Sequence, residues 1–148
     1  MIDAATLCMA DLKTVLQSIA KLKGKIVQVY DHSELQDKAK PLKLPACGII
    51  YEGMRSVGES GSSAKLGTSC ELVASIIMMD TLTNMGAANT YENAPAILDA
   101  IREGMMGRRS PTGHFWKFIV EAAAQPSHGT VLWVQRWSCP VQLVSAKY

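Results

Sequence analysis

The chain has 148 residues, 48% of them hydrophobic and 19% charged, with a formal net charge of +2. That length suits one ordinary domain, and the composition is too apolar for a disordered chain, so a single domain over residues 1–148 is expected. The small net charge lacks the basic excess of a dedicated nucleic-acid binder, and no run approaches the ~18–20 consecutive apolar residues of a membrane span, so no membrane partner is expected. Asp3 and Asp11 interrupt the N-terminal apolar pattern and spoil a secretory signal, which points to synthesis in a cytosol. A mean hydropathy of +0.09 is high for a soluble monomer. Either the core is generous or apolar surface is buried against copies of the same chain, and the second reading is favoured.

Ala5, Cys8, Met9, Leu12, Val15, Leu16, Ile19 and Leu22 recur at three and four, with Asp11, Lys13, Thr14, Gln17 and Lys21 opposite. The period predicts a helix over residues 4–23, with Asp3 as N-cap and Gly24 just past its end. Ile26, Val27, Val29 and Tyr30 are β-prone. They form a small strand or the start of a connection that Pro41 and Pro45 keep extended. Residues 46–52, ACGIIYE, read as a core strand, and residues 70–79, CELVASIIMM, as another that is apolar on both faces near its end. Between them residues 57–69, VGESGSSAKLGTS, form a flexible polar loop. Gly58, Glu59, Ser60, Gly61, Ser62, Ser63 and Lys65 bring chain entropy and almost no apolar area, so only a partner can order them.

Asn93 is placed to cap a second helix with Pro95 in its first turn. Ala96, Ile97, Leu98, Ile101, Met105 and Met106 supply its apolar side, and it stops within residues 104–107. Residues 108–113, RRSPTG, are a turn. Residues 115–124 and 130–139 are strands joined by a Pro- and Gly-containing hairpin turn. Trp133 and Trp137 share a face with Val131 and Gln135, and that face is expected to pack on the helices; Arg136 alternates away from it. The predicted class is α+β, a mostly antiparallel sheet of four or five strands with two main helices packed on one face.

Nothing in this pattern reads as a catalytic centre, so no enzyme and no cofactor are expected. The G-x-x-G at Gly58 to Gly61 lacks the spacing of a phosphate loop and precedes a strand rather than a helix. His32, His114 and His128 each sit in a turn, and no G-x-S-x-G is present. Cys8, Cys47, Cys70 and Cys139 form no CxxC pair, which disfavours zinc. A hairpin register can bring Cys47 opposite Cys70. Arg108 and Arg109 leave a helix C-terminus and are suited to carboxylates across a subunit boundary or to phosphates, or they form a solvated turn. With Arg136 and the polar loop they are the candidate interface residues.

The stretch ILDAIREGMMGRRSPTGHFWKF, followed by a hairpin and TVLWVQRWSCPVQL, resembles the end of the tail terminator proteins of long-tailed bacteriophages, the Mu-like group in particular. Those proteins carry a helix, a proline-containing turn and a closing strand of the form W-x-Q-R-aromatic. Here that strand holds Trp133, Gln135, Arg136 and Trp137. The first helix, the PACGIIYEG strand and the long polar loop follow the family's order. GMMGRRSP departs from it, standing where a G-W-x-P type turn is usual. The resemblance implies a non-catalytic virion protein assembled in the host cytoplasm. It implies a hexameric ring at the head-proximal end of the tail that caps the tube and ends its elongation. Its partners would be further copies of itself, the tail tube protein, a neck or head-completion protein and, in contractile tails, the sheath. DNA would pass through the ring lumen without sequence-specific binding. Another neck or tail ring protein is the alternative, then a small enzyme or a nucleic-acid-binding module.

Overall fold

In the computed structural model, which describes residues 3–29, 34, 38, 43–58, 67–81, 93–127 and 130–144, helix α1 spans Ala4–Gln17. Asp3 starts it. Its carboxylate accepts from the Thr6 amide at 2.8 Å and from the Thr6 hydroxyl at 3.0 Å, satisfying a donor at the open helix start. Those bonds hold the Asp3 carboxyl below its ordinary range. Cys8, Met9, Leu12, Val15 and Leu16 are buried as one stripe. The helix is shorter than its periodicity predicted. At Ile19 the backbone turns extended (φ −86°, ψ 116°), and a 3-10 turn at Ala20–Leu22 then buries Leu22. Gly24, with φ +76°, swings the chain into β1, Ile26–Val29.

Four more strands follow: β2 (Ala46–Gly58), β3 (Gly67–Thr81), β4 (Lys117–Ser127) and β5 (Thr130–Val144). Helix α2, Ala94–Met105, lies between β3 and β4 in sequence. The class is α+β as predicted, with one five-stranded sheet in the order β1-β2-β3-β5-β4. The sheet is mixed, however, because β1 pairs parallel with β2, Ile26 opposite Cys47. A tight hairpin enforces antiparallel pairing. The long connection over residues 30–45 lets the chain return to the end it started from.

β2 and β3 also outrun their predicted lengths. Val57, Gly58, Gly67, Thr68 and Ser69 are strand residues, with Gly58 opposite Ser69. Polar composition does not end these strands because β3 has a partner on its other side as well: Thr68 faces Leu143 and Ser69 faces Gln142 of β5. The register separates Cys47, opposite Met78, from Cys70, opposite Ser56. The thiols that meet are Cys8 of α1 and Cys139 of β5, with sulfurs 3.8 Å apart.

Both helices cover one sheet face. Cys47 and Ile49, then Leu72, Ala74, Ile76 and Met78, then Trp137, Cys139 and Val141 pack against them. Gly104 permits close approach of the helices, since a Cβ there would lie 3.0 Å from Val15 Cγ1. On the opposite face Val29, Ala46, Ile50, Ile77 and Met79 form a smaller cluster, which accounts for the two-sided apolar run in β3. On α2, Ala96 and Met106, expected on the apolar side, are exposed. Asn93 makes no side-chain cap. Asp80, at the end of β3, caps α2 instead, accepting from the Asn93 and Ala94 amides at 3.0 Å each.

Candidate assembly interface

Of the polar-loop candidates, Gly58 ends β2 in register with Ser69; Glu59, Ser60, Gly61, Ser62, Ser63 and Lys65 lie outside the described residues. Gly58 sits at the far end of the β2–β3 hairpin. Nearby, Val57 and Leu143 are among the exposed large hydrophobics.

The three arginines are not brought together. Arg108 was expected in a solvated turn or at a boundary. Its Nη2 donates to Asp11 Oδ1 at 2.7 Å, and its Nε lies 3.2 Å from both Asp11 oxygens. These hydrogen bonds stabilise the charged guanidinium and raise its pKa. The Trp116 indole N–H donates to the same carboxylate at 2.9 Å. Asp11, assigned by periodicity to the polar face of α1, thus clamps that helix to the segment leaving α2. Arg109 is exposed. Its guanidinium lies 4.7 Å from the centre of the Phe115 ring and donates to the Gly113 carbonyl at 2.9 Å. Arg136 lies on the sheet face away from the helices and pairs with Glu52 at 2.7 Å.

Trp133, Gln135 and Trp137 of β5 face the helices, as alternation predicted. Gln135 is fully buried and does most of the joining. Its Nε2 donates to the Leu98 carbonyl of α2 at 3.1 Å and to Glu121 at 2.7 Å, while its Oε1 accepts from the Trp137 indole at 3.1 Å. Arg102 of α2 closes the network on Glu121. The alternating pattern gave Gln135 its face; the partner that justifies a buried amide lies on another element.

On the face away from the helices, Glu52, Gly53, Met54, Arg55, Val73, Ile119 and Arg136 line an open depression of about 230 Å³. Its charges answer one another. Arg136 holds Glu52, and Arg55 holds Glu71 at 2.8 Å. The Ser138 hydroxyl also donates to Glu71 at 2.6 Å, and with Arg55 it holds that carboxyl below its ordinary value. Among the described residues no group of three or more His, Cys, Asp or Glu side chains is placed to hold a metal ion.

What the outer surface offers is apolar. Phe115, Phe118, Ile119 and Val120, in and just before β4, are exposed, as are Leu7 of α1 and Tyr51 of β2. Sequence reasoning marked none of them as surface: on the strands, alternation hides what an unpaired edge exposes, and Leu7 lies on α1 outside the apolar stripe named from its period.

No family model matches the sequence, and no curated protein matches it. The fold has a counterpart. A chain from the virion of a native gene transfer agent particle superposes with a TM-score of 0.62 at 12% sequence identity, covering 96% of this chain and 99% of that chain. At that identity the likeness is one of fold.

Proposed function

We propose that this chain is a structural subunit of a phage-like virion, assembled in the host cytoplasm as a ring of identical copies. The ring sits at the head-proximal end of a tail, ends growth of the tube and joins it to the neck. The observation that carries the virion role is the near end-to-end superposition on a chain of a gene transfer agent virion. The resemblance of the last third of the chain to tail terminators supports the narrower role and a ring of six. Arg109, Arg136 and the polar segment from Gly58 to Lys65 are the interface residues of this reading. Arg108 acts first within the subunit, through Asp11. DNA passes through the lumen without base-specific contacts, and no catalysis is involved.

The test is electron microscopy of the purified chain with and without a phage tail tube protein. Hollow rings, and tubes capped at one end with arrested length, are expected. Incorporation all along the tube would make it a tube subunit instead. A chain that neither forms rings nor binds tube ends would sink the proposal.

A further inference from the structure

We infer that copies of this chain join head to tail through two unlike sheet edges, the β4 edge of one copy receiving the α1–β2 edge of the next. The inference rests on the ring reading and names the surfaces that would build the ring.

β4 closes one side of the sheet, and no described strand pairs with its outer edge. A register shift between Phe118 and Val120 makes Ile119 the extra residue of a bulge. Phe118 lies opposite Trp137 on the helix side, whereas Val120 lies opposite Arg136 on the other side. Three consecutive apolar residues therefore wrap the edge, each half-exposed at 42%, 43% and 40%. A solvated edge strand is normally blunted by charge or proline, and residues 118–120 carry neither, with Lys117, Glu121 and Pro126 lying to either side of them. Phe115 extends the ridge. Its flanking cations are Arg109, set over the Phe115 ring, and exposed Lys117, while Glu121, next to Val120, is paired with Arg102 inside the subunit.

At the other side of the sheet, β1 covers β2 only from Cys47 to Ile50. Beyond Ile50 no described strand lies against that edge. Tyr51 is exposed there, and so is Leu7 on α1, the helix that packs over β2. The carboxylate on this side is Asp3, exposed at the start of the helix that carries Leu7, and Arg55 further along β2 is paired with Glu71.

One edge is thus an aromatic and aliphatic ridge beside cations, the other an aromatic and aliphatic patch beside a carboxylate. Unlike surfaces on opposite sides of one subunit do not self-pair about a two-fold axis. They join heterologously, and such contacts close into rings or run into filaments. Bulges on β2 and β4 make a regular backbone ladder across the junction unfavourable, so side chains carry the contact.

Two double variants test this by sedimentation velocity: Ile119→Glu/Val120→Glu on the β4 edge and Leu7→Glu/Tyr51→Glu on the α1–β2 edge. Thermal melts confirm folding, and Ile119→Thr/Val120→Thr serves if the charged β4 variant melts early. The wild type is expected to form the large species. Each variant alone should be monomeric, with self-association weakened more than tenfold. An equimolar mixture retains one good edge of each kind and should give a two-subunit species and nothing larger. A variant that dimerises with itself, variants that still form rings, or a mixture that stays monomeric beside a ring-forming wild type would overturn the edge pairing alone. A wild type that stays monomeric at every concentration and on tube ends would overturn the ring reading with it.

Discussion

Asp11 joins three parts of the molecule from one carboxylate. It holds the Arg108 guanidinium through contacts of 2.7 and 3.2 Å and accepts from the Trp116 indole at 2.9 Å. Asp11→Ala leaves both donors without that acceptor. It should cost about 2–3 kcal/mol in a urea melt, and Arg108→Glu should cost at least as much. Arg109→Glu, at an exposed site, should stay within about 0.5 kcal/mol. Equal losses at 108 and 109 would show that the clamp is not what stabilises this region. Glu71 supplies a pH dependence. Its folded-state pKa is depressed from 4.5, first by the Ser138 hydroxyl and then by Arg55. The stability it contributes is therefore full above about pH 4.5 and lost as pH falls through the folded value. Glu71→Gln should flatten that part of the acid limb in pH-dependent denaturation, and an unchanged limb would refute the linkage. Periodicity could place Asp11 on the polar side of a helix. It could not see that its partners lie 97 and 105 positions away.

At the scale of elements, α2 is started by a residue of β3. Asp80→Ala should destabilise by about 1–2 kcal/mol, as for loss of an N-cap, whereas Asn93→Ala should cost less because Asn93 makes no side-chain cap. Chemical denaturation of the two variants distinguishes them, and a larger loss at 93 would contradict the cap assignment. Most element identities were legible in the sequence. Apolar residues at three and four gave α1 its buried face, and alternation gave β5 the face that carries Trp133, Gln135 and Trp137. Three features were not legible: the parallel pairing of β1, the continuation of β2 and β3 through Val57 and Ser69, and the cap from Asp80. Each depends on which element lies next door, and local propensity does not encode that. The candidate site was less legible than the fold. Arg136 was correctly turned from the tryptophan face, but the exposed β4 edge becomes visible only once strand order and the bulge at Ile119 are known.

Across the whole molecule the core is anchored on β5. Trp137 is fully buried and meets Phe118 edge-on, with centroids 5.3 Å apart. Trp137→Ala should cost about 3–5 kcal/mol and leave little soluble protein. Trp133, only partly buried against the same cluster, should cost less, and thermal melts showing the reverse order would displace Trp137 as the anchor. The four cysteines are all free and buried. Their thiols should react with a thiol reagent only as the protein unfolds, so prompt labelling under native conditions would contradict the packing. The strand order carries one more consequence, for synthesis. β4 is made before β5 but sits outside it, so it has no neighbour in the sheet until β5 is inserted between it and β3. Until residues 130–144 are available, no more than β1, β2 and β3 can stand together in the sheet, with β3 as its open edge. Leu72, Ile76 and Met78 then lack the cover that Trp137 and Cys139 later supply. Translation thus passes through an interval of exposed apolar edge that closes only when β5 emerges, and that interval is where a chaperone or a misfolding partner has its opportunity.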